Sequence, residues 1–140
     1  YNIIMKNTIL LADDNETLLK TYSAFLQKRG FEVFTAIDGE NAINVIKEKE
    51  PSMLILDLNM PKVTGLEVTQ KVRSTPYGQH LPIIILTGNQ PDDKIINDIM
   101  EANPSYYIIK GSISIDELCK KITNTMNEYY GVENSATIGL

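Results

Sequence analysis

Short apolar runs alternate five times with longer segments of helical period along this chain. The runs are residues 8–12, 31–36, 53–56, 83–86 and 106–109. The first, third and fourth are apolar at consecutive positions, as strands buried on both faces of a parallel sheet are. Between the runs, apolar residues recur every three or four positions. Leu18, Leu19, Tyr22, Phe25 and Leu26 make one helical stripe, closed by Gly30 as a C-terminal cap. Ala42, Ile43 and Ile46 make a second, weaker one. Thr64-Gly65-Leu66-Glu67 is a capping box that opens a third helix carrying Leu66, Val68 and Val72. A fourth helix is expected to open with Pro91 at its first position, with Asp92 and Asp93 near the positive dipole end, and to bury Ile95, Ile96, Ile99 and Met100. Ser114-Ile115-Asp116-Glu117 is a second capping box, ahead of Ile115, Leu118, Cys119, Ile122 and Met126. Strands alternating with helices predict an α/β fold, a parallel sheet with helices on both faces, and right-handed crossovers leave few topologies.

The chain has 140 residues, the size of one ordinary domain. We expect that domain at residues 7–130, an extension at 1–6 and a C-terminal tail at 131–140. Met5 reads as a natural start, which would favour a stand-alone protein over a piece of a hybrid kinase. Hydrophobic residues at 43% and charged residues at 22% describe a folded soluble protein. The net charge of −5 argues against non-specific nucleic-acid binding, which needs a basic footprint. One cysteine, Cys119, excludes an internal disulfide and a multi-cysteine zinc site, and with the lack of a signal peptide or membrane span it predicts a cytoplasmic location.

The acids sharpen the picture. Asp13 and Asp14 follow the first strand and Asp57 follows the third. In an open parallel sheet ligands bind beyond the carboxyl ends of the strands, where the strand order reverses. With the order 2-1-3-4-5 the reversal falls between strands one and three, and three carboxylates converge there. Thr87 after strand four and Lys110 after strand five open onto the same edge. Crowded hard oxygen ligands suit Mg2+ or Mn2+. A carboxylate beside a metal, a lysine and a hydroxyl is equipped for phosphoryl transfer, with the carboxylate as in-line nucleophile. Each residue alone has a plainer reading: a helix cap for Asp13-Asp14 or Thr87, a turn acid for Asp57, a solvated charge for Lys110. Their conjunction at one edge selects the chemical one.

With these motifs in order, the sequence resembles the receiver domains of two-component response regulators over about residues 7 to 129. The motifs are Leu11-Ala12-Asp13-Asp14-Asn15, Leu56-Asp57-Leu58-Asn59-Met60-Pro61 with Thr64-Gly65, Leu86-Thr87-Gly88, Tyr107 and Lys110. The resemblance implies a flavodoxin-like, doubly wound five-stranded sheet of order 2-1-3-4-5. It implies that Asp57 accepts a phosphoryl group from a sensor histidine kinase or phosphotransfer protein. It implies that Mg2+ (or Mn2+) is held by Asp14, by Asp13 directly or through water, by Asp57 and by the backbone carbonyl of Asn59. Lys110 pairs with a phosphoryl oxygen, or with Asp57 when none is present. Thr87 and Tyr107 are the switch, Tyr107 turning inward as Thr87 moves. Asn59 and Asn89 tune the phosphoryl lifetime. Output runs through helix four, strand five and helix five to a downstream protein or a phosphorylation-dependent homodimer, with no direct nucleic-acid or membrane contact. Such a domain is a signalling phosphoacceptor whose only chemistry is metal-dependent self-phosphorylation and self-dephosphorylation.

Two positions depart from the family pattern. Gly111 replaces the usual proline after the lysine, so a trans bond and a more mobile loop are expected. Asn103-Pro104 replaces Gly-Ala, and Asn103 can keep the left-handed turn. The rivals fare worse. An aspartyl-phosphate phosphohydrolase needs an acid-base group where Asn59 stands. There is no Gly-x-Gly-x-x-Gly and no Walker loop. A receiver-like module that binds partners without phosphorylation would lack an acid or the lysine, and all are present. His80 reads as an ordinary loop residue and Cys119 as core.

Overall fold

The computed structural model describes residues 7–88 and 90–131. The elements run β1 (Thr8–Ala12), α1 (Glu16–Lys28), β2 (Glu32–Ala36), α2 (Gly39–Lys49), β3 (Met53–Asp57), α3 (Gly65–Arg73), β4 (Ile83–Thr87), α4 (Asp93–Ala102), β5 (Tyr106–Ile109) and α5 (Ile115–Tyr130). All strand pairs are parallel, and the order is β2-β1-β3-β4-β5, the doubly wound arrangement expected.

Strand alternation divides the core in two. Leu10, Leu54, Leu56, Ile83 and Ile85 face Ala42, Ile46, Val68, Val72 and Ile99 of α2, α3 and α4. Ile9, Leu11, Met53, Ile55, Ile84, Leu86 and Ile108 face Leu19 and Leu26 of α1 and Leu118, Cys119, Ile122 and Met126 of α5. Every residue of β3 and β4 is buried, which is why those strands read as unbroken apolar runs. Tyr106 and Tyr107 lie on opposite faces, packed on the second and first cluster respectively.

The helix ends follow the expected capping chemistry with one correction. Both capping boxes form, Thr64 with Glu67 and Ser114 with Glu117. Gly30 sits just past the Arg29 C-cap of α1 at φ +93°, where a side chain would be strained. In α4, Asp92 is the N-cap and accepts from the Ile95 amide at 2.9 Å, so Pro91 lies outside the helix and not at its first position. An extended backbone plus a side-chain oxygen defines a cap, and aspartate supplies the oxygen that proline lacks. A second correction concerns Met100, which is 67% exposed. The core-facing stripe runs through half-buried Ile95 and buried Ile99 and Ala102, spaced four and three apart, and Met100 falls beside it. Asn103 takes the left-handed conformation at φ 58° and ψ 57°. The Lys110–Gly111 bond is trans, with Gly111 at φ +85°. No helix among the described residues is long and apolar enough to cross a membrane. The expected extension at 1–6, the tail beyond Gly131, and Asn89 lie outside the described residues.

Candidate functional site

Register builds the site. Ala12 pairs with Leu56, so Asp13, one step past β1, lies beside Asp57 at the end of β3. Asp57 pairs with Leu86, and Thr87 with Ile109, which carries Lys110 to the same edge. The Lys110 amide donates to the Thr87 carbonyl at 2.7 Å and locks that last step. Carboxylate oxygens of Asp13, Asp14 and Asp57 all lie within 4.8 Å of one another. Asp13 is 1% exposed and Asp57 5%, whereas Asp14 is open to solvent.

The helix cap that Asp13-Asp14 could have formed is supplied by Asn15, whose side chain accepts from the Leu18 amide at 3.1 Å. Both aspartates are thereby left to the sheet edge, with Asp13 accepting from the Asn15 amide at 2.9 Å. Lys110 bridges two of the three acids. Its Nζ lies 2.6 Å from Asp13 and 3.2 Å from Asp57. The expectation paired Lys110 with Asp57; the shorter contact is to Asp13, the more deeply buried carboxylate and the one that loses most by going unpaired.

Electrostatics mark the cluster as short of positive charge. Burial pushes the Asp57 carboxyl up, the Asp13 charge pushes it further, and the neighbouring Lys110 only partly offsets them. Burial works to lower Lys110, but its hydrogen bond to Asp13 and the charges of Asp13 and Asp57 outweigh it and hold the ammonium up. A cation among these oxygens would relieve the repulsion that one lysine leaves, so the residues fit a divalent metal. Asp13, Asp14 and Asp57 could hold it. Asn59, two residues after Asp57, is exposed at the same end.

Thr87 is fully buried, and with Asn59, Thr64, Pro91, Asp92 and Ile95 it lines a cavity of about 290 Å³ between the β3–α3 loop and the start of α4. Tyr107 is half-buried and packs against the first core cluster. Its hydroxyl is buried without a hydrogen-bond partner among the described residues, and burial pushes the phenol up. Removing an unsatisfied buried hydroxyl recovers its desolvation penalty, so Tyr107→Phe is expected to raise the unfolding free energy by about 1 kcal/mol. Urea denaturation checks this, and an equal loss would show that the hydroxyl is satisfied.

Close backbone approaches and one ion-pair cluster seat the β3–α3 loop. A Cβ on Gly65 would stand 2.3 Å from the Asp57 carbonyl oxygen, and one on Gly39 would stand 1.8 Å from the Val63 carbonyl oxygen. Lys62 takes a left-handed φ of +69° and reaches Glu40 on α2 at 3.4 Å and the α2 N-cap Asp38 at 3.7 Å. A glycine just after an N-cap, as at Asp38-Gly39 and Thr64-Gly65, is the one signal that could have pointed to a close approach.

Known proteins share this fold. The chemotaxis protein CheY4 of Vibrio cholerae superposes with a TM-score of 0.75 at 26% identity, covering 84% of this chain and 96% of that one. A response regulator structure from Chloroflexus aurantiacus gives a TM-score of 0.76 at 31% identity, covering 86% and 97%. Protein RcaC of Microchaete diplosiphon is 36% identical over 81 residues, 58% of this chain but only 12% of that much longer protein. The family profile of the response regulator receiver domain matches residues 9–123, and the chain belongs to that family.

Proposed function

We propose that this receiver domain takes a phosphoryl group onto Asp57 from a phosphohistidine on a sensor kinase or phosphotransfer protein, and signals through a protein-binding surface. The observation that carries the reading is the convergence of Asp13, Asp14, Asp57 and Lys110 at one sheet edge with charge left uncompensated.

Asp57 is the nucleophile. A carboxylate oxygen attacks phosphorus in line as the bond to the donor imidazole nitrogen breaks, and the imidazole leaves with the electron pair. Lys110 moves its charge from the carboxylates to a phosphoryl oxygen, and the Thr87 hydroxyl donates to another. Asp13, Asp14, Asp57 and the Asn59 carbonyl would hold Mg2+ (or Mn2+), which would supply the charge that lets an anionic carboxylate meet an anionic phosphoryl group. Asn59 cannot act as a general base for rapid hydrolysis. With Asn89 it stands where the family tunes phosphoryl lifetime. Tyr107 and Thr87 form the switch, and α4, β5 and α5 the output face, for a downstream protein or a homodimer. The setting is cytoplasmic.

Asp14 would present its side chain to the metal, whereas Asn59 would present only a backbone oxygen. Asp14→Ala is therefore expected to weaken Mg2+ binding by about tenfold or more, and Asn59→Ala by much less. Amide shifts followed through a Mg2+ titration measure both, and equal losses would count against the assignment.

A further inference from the structure

The segment between Asp57 and the Thr64 N-cap of α3 carries Asn59 and is anchored at both ends. At its start the Leu58 amide donates to the Leu86 carbonyl at 2.8 Å, and Leu58 and Met60 are buried in the first core cluster. At its far end the Gly65 amide donates to the Leu58 carbonyl at 3.0 Å. Asn59 lies between the two buried side chains and is exposed.

The middle of the segment is held by α2. Gly39 opens that helix, and an amide in a first turn has no partner within its own helix. It donates instead to the Pro61 carbonyl at 3.3 Å. The approach is so close that a Cβ on Gly39 would stand 1.8 Å from the Val63 carbonyl oxygen. Between Pro61 and Val63 the chain bends through Lys62 at φ +69°, a conformation that a residue with a long side chain seldom adopts. The Lys62 ammonium lies 3.7 Å from Asp38 and 3.4 Å from Glu40.

The two contacts differ in weight. Lys62 and Glu40 are both well exposed, and such a pair contributes little. The Asp38 side chain is only 13% exposed, so its charge is less screened. Its Oδ1 accepts from the Asn41 amide at 2.7 Å and caps α2, while Oδ2 faces Lys62. One carboxylate thereby fixes the start of the helix and the bend of the loop. Glycine would take the same φ without strain, so what lysine adds at this bend is its cation.

We propose that Lys62 is a positioning residue, whose ion pair with Asp38 latches the β3–α3 loop to the start of α2 and so sets the Asn59 carbonyl for the metal. The metal role of that carbonyl rests on the phosphoacceptor reading; the latch itself does not.

Lys62→Met removes one positive charge and keeps a long side chain, so the net charge goes from −5 to −6. By charge alone the variant would draw Mg2+ in more tightly. The latch predicts the opposite sign. Amide shifts of the full chain through a Mg2+ titration are expected to show the dissociation constant raised by about threefold or more, short of the loss when a group that bonds a metal ligand directly is removed. Lys62→Arg is expected to restore most of the affinity. Lys62→Gly takes the bend freely but has no cation, and is expected to bind as weakly as Lys62→Met. Amide hydrogen exchange with a chelator present tests the latch without metal. Lys62→Met is expected to speed exchange at Gly39 and Val63 by about threefold or more while the amides of β1 and β3 keep their protection. The Val63 amide is informative because it donates to the same Pro61 carbonyl, at 2.8 Å. Unchanged exchange at both residues overturns the latch. Mg2+ binding in Lys62→Met as tight as in the wild type or tighter, or wild-type affinity in Lys62→Gly, overturns the positioning role. Silence of the wild-type Asp14 and Asp57 amides toward Mg2+ would sink the metal reading and the positioning role with it, while the exchange comparison still decides the latch.

Discussion

In the absence of divalent metal, Asp57→Asn is expected to make the protein more stable at neutral pH, by about 1 kcal/mol or more. Burial of the wild-type carboxylate, with the charge of Asp13 added, outweighs the attraction of Lys110, so its pKa lies above the ordinary 3.8. An acid whose pKa is raised by folding binds its proton more tightly folded than unfolded. Its stabilising contribution is complete below the ordinary value and is lost as pH rises through the raised one. At neutral pH the wild type carries the whole cost and the amide carries none. Urea denaturation with a chelator present, at neutral pH and near pH 4, measures the difference, and the gap between variant and wild type should close on the acid side. Mg2+ should reverse the ranking. At a hundred times its dissociation constant it adds about 2.7 kcal/mol to a protein that binds it only when folded, and Asp57→Asn should gain far less. A variant less stable than the metal-free wild type would mean that the Lys110 contact outweighs the repulsion.

Gly65→Ala carries a larger cost. Its Cβ would stand 2.3 Å from the Asp57 carbonyl oxygen and 3.1 Å from the Leu58 Cα, both backbone atoms that no rotamer change can clear. The Gly65 amide donates to the Leu58 carbonyl at 3.0 Å, so the start of α3 is seated directly on the end of β3. Relief requires α3 to lift away, breaking that bond and loosening Val68 and Val72 in the core. A loss of about 3 kcal/mol is expected, at the upper end of overpacking costs, together with weaker Mg2+ binding, because the same backbone positions Asp57. Denaturation and the Mg2+ titration report the two effects separately. A variant of wild-type stability would show that the contact is not tight.

The legible parts of this molecule were those set by period and by strand ends. β1, β3 and β4 announce themselves because both faces are buried. Once they are parallel neighbours, the acids that follow β1 and end β3 must meet, which is why a site joining Asp13 to Lys110, 97 residues apart, could be anticipated. What escaped depends on contacts between elements that no local pattern encodes. Nothing near Arg73 in the chain points to the Asn103 carbonyl, 30 residues on. Nothing around Lys62 tells that α2 holds its partners. Pro91 and Asp92 both suit a helix start, and only backbone geometry shows which one caps α4. Met100 satisfied the apolar pattern, yet the turn of the helix leaves it beside the buried stripe.

The central claim is the chemistry of Asp57, and intact-protein mass after incubation with acetyl phosphate tests it most directly. With Mg2+ the wild type should gain the mass of one phosphoryl group. Without Mg2+, or as Asp57→Asn, it should gain none. A folded, Mg2+-binding wild type that takes up no phosphoryl group, or an adduct that survives in Asp57→Asn, would contradict the account.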